Sequence, residues 1–311
     1  NKNCYLKCIS DERLSIREYL YKRYDKYKVK VYNNYEDIIL HSKLDLIFII
    51  APRKTNSYIA EQCLMAGKNI FMEKPISYSK YHSKRLVSIA DKNKLFFGIS
   101  YVKRFDPAIR YSLNKFNEYY KTKKLGNFKR ALFYNHSFKN LIKPPRHKKP
   151  EESRFIRIKE HNFKVDKQIR DYVMIHDWFM NVLSHNINLL SMFFDINKVS
   201  IKKAFISKNK INIDAYFDKA DIKFSAIKTK KIEWKEGFTL FFERGKIDVS
   251  IVEPFDTKRN SSIKIYINNK ISKPKKIKFI WPFENQIANI IHDIKDLKSS
   301  TNNYMTVHDE L

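Results

Sequence analysis

Three groups of residues in this 311-residue chain have the types and spacing to do chemistry. In Glu73-Lys74-Pro75, a lysine closes the apolar run Ile70-Phe71-Met72. A lysine at a strand tip, withdrawn from water or set beside a second cation, gives up its proton near neutral pH and can exchange it with a substrate oxygen. A solvated surface amine is the plain alternative in a chain so rich in lysine. Asn181, His185 and Asn188 are spaced so that a helix carries them on one face. An imidazole there can donate to or accept from a hydroxyl, with the two amides orienting it or the ligand. A buried structural histidine flanked by capping asparagines is the competing account. Asp11, two residues before Arg13, ends a strand-like stretch and opens a helical pattern. Its carboxylate can accept from a ligand's hydroxyls or cap the helix, and both readings stand.

The elements that must position these residues alternate over the first third. Strands are expected over Cys4 to Ser10, Lys28 to Tyr32, Leu44 to Ala51, Asn69 to Lys74 and Leu95 to Tyr101. Helices are expected over Glu12 to Tyr24, with Leu14, Tyr19 and Leu20 turned inward, and over Tyr35 to His41, Thr55 to Ala66 and Ser77 to Lys94. Gly67 stands where a left-handed residue would close the third helix. Leu44 to Ala51 is apolar apart from Asp45, as in a strand buried on both faces. Alternation with short links implies parallel pairing and a doubly wound sheet. Ligands of such sheets bind at the carboxyl ends of the strands. That selects Asp11, Pro52 to Asn56, Glu73 to Pro75 and Tyr101 to Arg104.

Embedded in that pattern, Asp45-Leu-Ile-Phe-Ile-Ile-Ala-Pro52, Ala66-Gly67-Lys68 and Glu73-Lys74-Pro75, followed by Arg104-Phe105-Asp106-Pro107, resemble the Gfo/Idh/MocA family, the glucose–fructose oxidoreductase and inositol dehydrogenase group. The resemblance runs to about residue 135 and recurs near His185, Gly245 and Phe283 to Leu297. It implies NAD(P)-dependent hydride transfer to or from a hydroxyl-bearing carbon of a sugar, cyclitol or nucleotide-sugar, with surface-polysaccharide synthesis as the suggested setting. Lys74, His185 and Asn181 become the catalytic candidates. Asp11, Pro52, Asn56, Glu73 and Lys74 become the cofactor candidates, and Tyr101, Arg104 and Asn188 the substrate candidates. The family's helix carries Asp-x-x-x-His with a further acid three residues on; Asn181 and Asn188 replace both acids here. Asparagine cannot take a proton, so His176 and Asp177 are alternates for the missing acid. Asp11 favours NAD over NADP, since a carboxylate repels a 2′-phosphate, and Arg13 weakens that preference.

No glycine precedes Gly67, so this chain carries no glycine turn ahead of its first strands. Such a turn lies about 20 residues before the ribose-binding acid. The chain is therefore expected to start inside the first crossover, lacking roughly 20 to 30 residues of strand, turn and helix. A sheet that never held a dinucleotide is the alternative.

Beyond about residue 119, strand-like segments follow one another: Phe128 to Phe138, Lys202 to Ser207, Ile211 to Phe217, Asp221 to Thr229, Lys231 to Trp234, Phe238 to Arg244, Lys246 to Val252 and Ile263 to Ile267. Helices are confined to about 174–194 and 284–298. The expected architecture is thus an α/β Rossmann-like domain over residues 1–118 and, over 119–311, an α+β domain with a large mixed or antiparallel open sheet. The second domain would form the substrate floor and, as in the family, a sheet face for homo-oligomers.

A hydrophobic fraction of 43%, with 14% aromatic residues, excludes a disordered or collagen-like chain. No apolar run reaches the roughly 18 to 20 residues that span a bilayer. Cys4, Cys8 and Cys63 have no metal-type spacing; Cys4 and Cys8 read as small buried side chains of one strand face, and no metal is expected. A cytoplasmic protein is expected, and His308-Asp309-Glu310-Leu311 is read as a chance match to a retrieval signal. The net charge of +29 raises a nucleic-acid reading. The basic residues spread along the chain, with clusters at Lys121 to Lys124, Lys143 to Pro150 and Lys273 to Lys278, in a sequence equally heavy in Asn, Ile, Tyr and Phe. Codon bias accounts for that pattern, and no nucleic-acid partner is expected. A sugar- or partner-binding descendant without turnover is the main alternative function, and a basic nucleic-acid-binding module the remote one.

Overall fold

The computed structural model describes residues 4–41, 43–138, 179–229, 234–268, 270–272, 274 and 277–299. His176, Asp177, Lys143 to Pro150, Lys273, Lys275 and Lys276 of the basic cluster, and the terminal His308 to Leu311 lie outside the described residues.

The first third forms parallel strands, in two pieces rather than one sheet. β1 (Cys8–Ser10) pairs with β2 (Lys30–Tyr32), while β3 (Ile47–Ile49), β4 (Ile70–Glu73) and β5 (Phe97–Ser100) form a three-stranded sheet in that order. In the open order 3-2-1-4-5-6, β2 and β1 take the outer two places on one side and β3, β4 and β5 those on the other. No described strand lies between β1 and β3. The expected two-sided burial of β3 fails on one face, where Phe48 is 43% exposed, while Ile47 and Ile49 on the other face are buried. α1 (Leu14–Tyr24) buries none of its residues, against the expectation for Leu14 and Tyr19, and Cys4 is exposed rather than packed.

α2 (Glu36–Leu40), α3 (Arg53–Met65) and α4 (Lys80–Lys92) complete the crossovers. Gly67 has φ +71°, and the amides of Gly67 and Lys68 bond the carbonyls of Leu64 and Cys63, which is the closure its position predicts. Ala60, Cys63 and Leu64 of α3 and Leu86, Val87 and Ala90 of α4 pack on Ile47, Ile49, Ile70, Met72 and Phe97. Asn69 staples the strand starts, donating to Asp45 O at 3.0 Å and accepting from Phe96 N at 2.9 Å.

α5 (Pro107–Thr122), capped by Asp106, carries the chain across, and the expected domain division at 118/119 falls inside it. β6 (Phe128–Phe138), β7 (Val199–Ile206), β8 (Lys210–Phe217), β9 (Ala220–Thr229), β10 (Trp234–Phe242), β11 (Gly245–Ile251), β12 (Ser262–Ile267) and β13 (Lys270–Ser272) build one eight-stranded sheet, ordered β13-β12-β11-β10-β6-β9-β8-β7. β6 and β9 run parallel and the other pairs antiparallel, giving the expected mixed sheet. β10 runs unbroken from Trp234 through 235–237, which the expectation left between two strands, and residues 231–233 lie outside the described residues. α5 and α6 (Ser184–Phe193) cover one face over a phenylalanine-rich core that includes Phe116, Phe133, Phe193, Phe224 and Phe238. α7 (Pro282–Ser299) returns to the first third, where Ile290 and Ile294 pack on Phe71 and Phe96 and Gln286 accepts from Ser100 Oγ at 3.3 Å.

Candidate functional site

The strand ends of the parallel sheet meet the start of α6, and there the separately identified residues come together. Lys74 follows the last residue of β4, with a cis peptide bond to Pro75. Its Nζ donates to the carbonyl oxygen of Asn181 at 2.6 Å and to Asn181 Oδ1 at 2.9 Å. Asn181 lies in a π-helical turn, Phe179–Leu183, that leads into α6. A π turn widens the helix, and Ser184 Oγ takes up the Met180 carbonyl at 2.7 Å. Burial, then the charge of Lys103 and more weakly that of Arg53, pull the Lys74 amine down to about 8, with Glu73 and Glu236 opposing.

His185 sits one turn on from Asn181, its ring edge-on to Tyr101 at 6.0 Å between centroids. Burial and the charges of Lys103 and Lys74 push the imidazole well below its ordinary value, so it is neutral at physiological pH. Its Nδ1 is buried without a partner, as is Asn188 Oδ1 one turn later. Of the three residues predicted on one face, the structure brings Asn181 onto Lys74 and His185 onto Tyr101. Asn188 is 7% exposed, with a free acceptor.

Asp11 follows β1 and is engaged by its neighbour: Arg13 N and Nε donate to Oδ1, both at 2.9 Å, and its guanidinium reaches Oδ2 at 2.8 Å. Burial works to raise this carboxyl, but the Arg13 hydrogen bonds with the Arg13 and Arg17 charges outweigh it and hold it below its usual range. Pro52 opens α3 without a capping side-chain bond. Asn56 is fully buried, accepting from Ala51 N at 3.0 Å and donating to Glu73 O at 3.3 Å, so it ties the ends of β3 and β4 together. Arg104 lies in the turn after β5, its carbonyl accepting from Arg110 Nε at 3.0 Å and one guanidinium nitrogen buried without a partner.

Lys103, in the same turn, is 4% exposed and ion-paired with Glu236 of β10, which is 1% exposed. Glu236 escaped the sequence reading because residues 235–237 were placed between strands. Period-2 alternation was the available signal: Phe238, Leu240 and Glu236 share one face of β10, and an acid on that face is the anomaly. Asn135, the cross-strand partner of Glu236, repeats the pattern after Ala131 and Phe133 in β6.

A dinucleotide is the ligand that the parallel architecture implies. Carboxylate, uncapped helix start and lysine lie at successive strand ends, where ribose, phosphate and nicotinamide would be held. That donor set fits the two ends of the molecule; no glycine turn for its pyrophosphate occurs among the described residues. Those residues also contain no cluster of metal-binding side chains and no helix long and apolar enough to cross a membrane.

Residues 4–101 match the Gfo/Idh/MocA family model, described as an oxidoreductase family with an NAD-binding Rossmann fold. Inositol 2-dehydrogenase of Salmonella typhimurium is 31% identical over 85 residues, 26% of this chain and 25% of that protein. UDP-N-acetylglucosamine 3-dehydrogenase of Acidithiobacillus ferrooxidans is 31% identical over 72 residues, 23% of each. The matched segments thus span about a quarter of these relatives. Among solved structures, a 3-ketoreductase from Actinomadura kijaniata in complex with NADP superposes with a TM-score of 0.72 at 10% identity, covering 98% of this chain and 84% of that one. Levoglucosan dehydrogenase in complex with NADH and levoglucosan gives 0.71 at 12% identity, with 98% and 84% coverage. The fold is shared across the whole described molecule.

Proposed function

We propose, for a chain that belongs through residues 4–101 to the Gfo/Idh/MocA oxidoreductase family, an NAD(P)-dependent oxidoreductase acting on a hydroxyl or keto carbon of a sugar, cyclitol or nucleotide-sugar. The carrying observation is the pair of hydrogen bonds from Lys74 Nζ to the two oxygens of Asn181. A neutral amine that gives both hydrogens to those oxygens turns its lone pair elsewhere; an ammonium keeps one hydrogen free. Lys74 thus accepts a substrate hydroxyl's proton during oxidation and returns it during reduction. His185, neutral, offers one ring nitrogen to the same oxygen, and Asn188 Oδ1 accepts from a neighbouring hydroxyl. When bound, the nicotinamide supplies or takes the hydride. Asp11, Pro52 and Glu73 would line its cleft, with Asn56 as the brace behind them.

Asp11 favours NAD, weakly, because Arg13 already compensates its charge. Free cysteines support a cytoplasmic setting. The exposed Ile201, Phe205 and Ile206 on edge strand β7 support self-association through the C-terminal sheet. The test is turnover of NADH and NADPH, in both directions, across sugars, cyclitols and nucleotide-sugars. Lys74→Met should lose about 10²–10⁴-fold in rate while holding the cofactor unchanged, and undiminished turnover would remove Lys74 from the mechanism. Oxidation should quicken as pH rises through about 8, since the neutral amine is the acceptor; reduction should slow over the same range.

The replacement of both expected acids by Asn181 and Asn188 favours one second reading, a sugar-binding descendant. It predicts ligand-induced thermal stabilisation with no turnover in any pairing.

A further inference from the structure

The Lys103–Glu236 ion pair spans the two halves of the molecule, joining the turn after β5 to the middle of the eight-stranded sheet. It is nearly inaccessible at both ends. Buried pairs of this kind are poor stabilisers, because desolvation of two charges offsets their attraction. The surroundings do not complete it: Glu236 Oε2 and Asn135 Oδ1 are buried and unpartnered. Its row across the sheet is otherwise apolar, running Ile211, Ala226, Asn135, Glu236, Ile251. Leu183, two residues after Asn181, packs on Ile211 and Ala226 of that row. The turn that bears Lys103 packs against α6. Tyr101, which edges the His185 ring, precedes it by two residues.

We propose that Lys103, clamped by Glu236, is a positioning residue of the proton-exchange site: a buried amine on a turn packed against the His185 helix, whose charge governs which of Lys74 and His185 carries the proton. Burial works to lower the Lys103 amine, and the charge and hydrogen bond of Glu236 oppose it. The role assigned to that proton rests on the oxidoreductase reading; the electrostatic coupling does not. The charged groups that face Lys74 are Glu73 on its own strand, Lys103 from the turn, Arg53 from α3 and Glu236 from β10. Those facing His185 are Lys103 and Lys74, and α6 holds no other titratable side chain. Several charges on the adjoining elements are engaged elsewhere, while Arg104 in the turn itself keeps one buried guanidinium nitrogen without a partner. In α5, Lys115 holds Glu118 at 2.6 Å and Arg110 holds the Arg104 carbonyl. In β6, Lys129 pairs with Glu243 at 2.8 Å and Arg130 lies over the Phe241 ring. His136 alternates to the face of β6 opposite Asn135.

The two members of the pair make opposite predictions. With Lys103 removed, a cation that disfavours protonation of Lys74 and His185 is gone, so both should protonate more readily. With Glu236 neutralised, Lys103 acts uncompensated and Lys74 should protonate less readily. The experiment measures the pH dependence of Lys74 acetylation by acetic anhydride, read by peptide mass spectrometry, and of His185 C2–H exchange in deuterated buffer. Neither readout needs cofactor, substrate or turnover. The proteins are wild type, Lys103→Met, Glu236→Gln and the double variant Lys103→Met/Glu236→Gln.

In Lys103→Met the Lys74 midpoint should rise by about one pH unit and the His185 midpoint should rise with it. In Glu236→Gln the Lys74 midpoint should fall. In the double variant, which carries no charge at either position and keeps the fold if either single change does not, it should rise above wild type. A Lys74 midpoint unmoved by loss of Lys103, or moved the same way by both single changes, would overturn the proposal. If these shifts occur and no pairing of cofactor and sugar turns over, the oxidoreductase reading fails and the coupling stands.

Discussion

The two halves of this molecule are built to different densities. The C-terminal sheet is continuous over eight strands, and one face is filled by aromatic rings: Phe133 lies 5.4 Å from both Phe224 and Phe238, and Phe193 lies 5.1 Å from Phe238. The N-terminal half holds two parallel pieces with strands of three or four residues, and its first helix buries nothing. Both candidate catalytic oxygens on Asn181 belong to the dense half, whereas the lysine they hold belongs to the sparse one. The proposed proton-exchange site at this seam would draw its precision from one side and its cofactor-facing strand ends from the other.

The largest expected effect breaks the dense side. Phe133→Ala removes a fully buried ring at the centre of the aromatic cluster and should cost about 3–5 kcal/mol, read as a shifted midpoint in urea unfolding. A loss below about 1 kcal/mol, the typical cost of a single substitution, would mean that the sheet is less close-packed than its burial implies. On the sparse side the comparable lever is polar. Asn56→Ala leaves Ala51 N and Glu73 O without their partner, at about 1–3 kcal/mol. Hydrogen exchange should place that loss in β3 and β4 and leave β6 and β10 protected; equal loss in both halves would show that they unfold as one unit.

Asn181→Asp sharpens the seam itself. A carboxylate against the Lys74 ammonium favours the charged amine and should move its midpoint upward from about 8 by about one pH unit, the low end for an adjacent opposite charge because Asn181 is exposed. Oxidation near neutral pH should slow accordingly, and the acetylation profile of Lys74 checks the shift without turnover. An unchanged profile would mean that the two oxygens of Asn181 hold the amine without setting its charge.

What could be read in advance follows the same division. Gly67 was legible because a left-handed helix closure leaves a local mark, and the strands of the C-terminal sheet because period-2 alternation does. Lys74 was legible from an apolar run that ends in a charge. The split of the parallel sheet was not, since strand pairing is a property of neighbours that no single segment encodes. Nor was the embrace of Asp11 by Arg13, because a residue two positions along can cap, pair or point away with equal local propensity. Glu236 stayed hidden through a wrong strand boundary, which turned an inward-facing acid into a turn residue. Asn181 was placed on a regular helix; the π turn that carries it depends on how the chain enters α6, and its own residues are ordinary helix formers.

The smallest expected effect is the sharpest check on the sparse half. Leu14 opens α1 and was read as an inward position, yet it is 52% exposed and no residue of its helix is buried. The helix also lacks an N-cap side-chain bond and an acidic first turn, so neither packing nor capping holds it. What remains is hydrogen bonding at its edges, from Arg17 to the carbonyls of Asp11 and Glu12 and from Tyr21 Oη to Val31 O at 2.9 Å. Leu14→Ala should therefore change stability by no more than about 0.5 kcal/mol, the range of surface substitutions, and the amides of α1 should exchange fastest among the helices. A cost of about 2 kcal/mol or more, that of truncating a buried leucine, would show that α1 rests its apolar side on a surface in solution, and the contrast in packing between the two halves would fail at this helix.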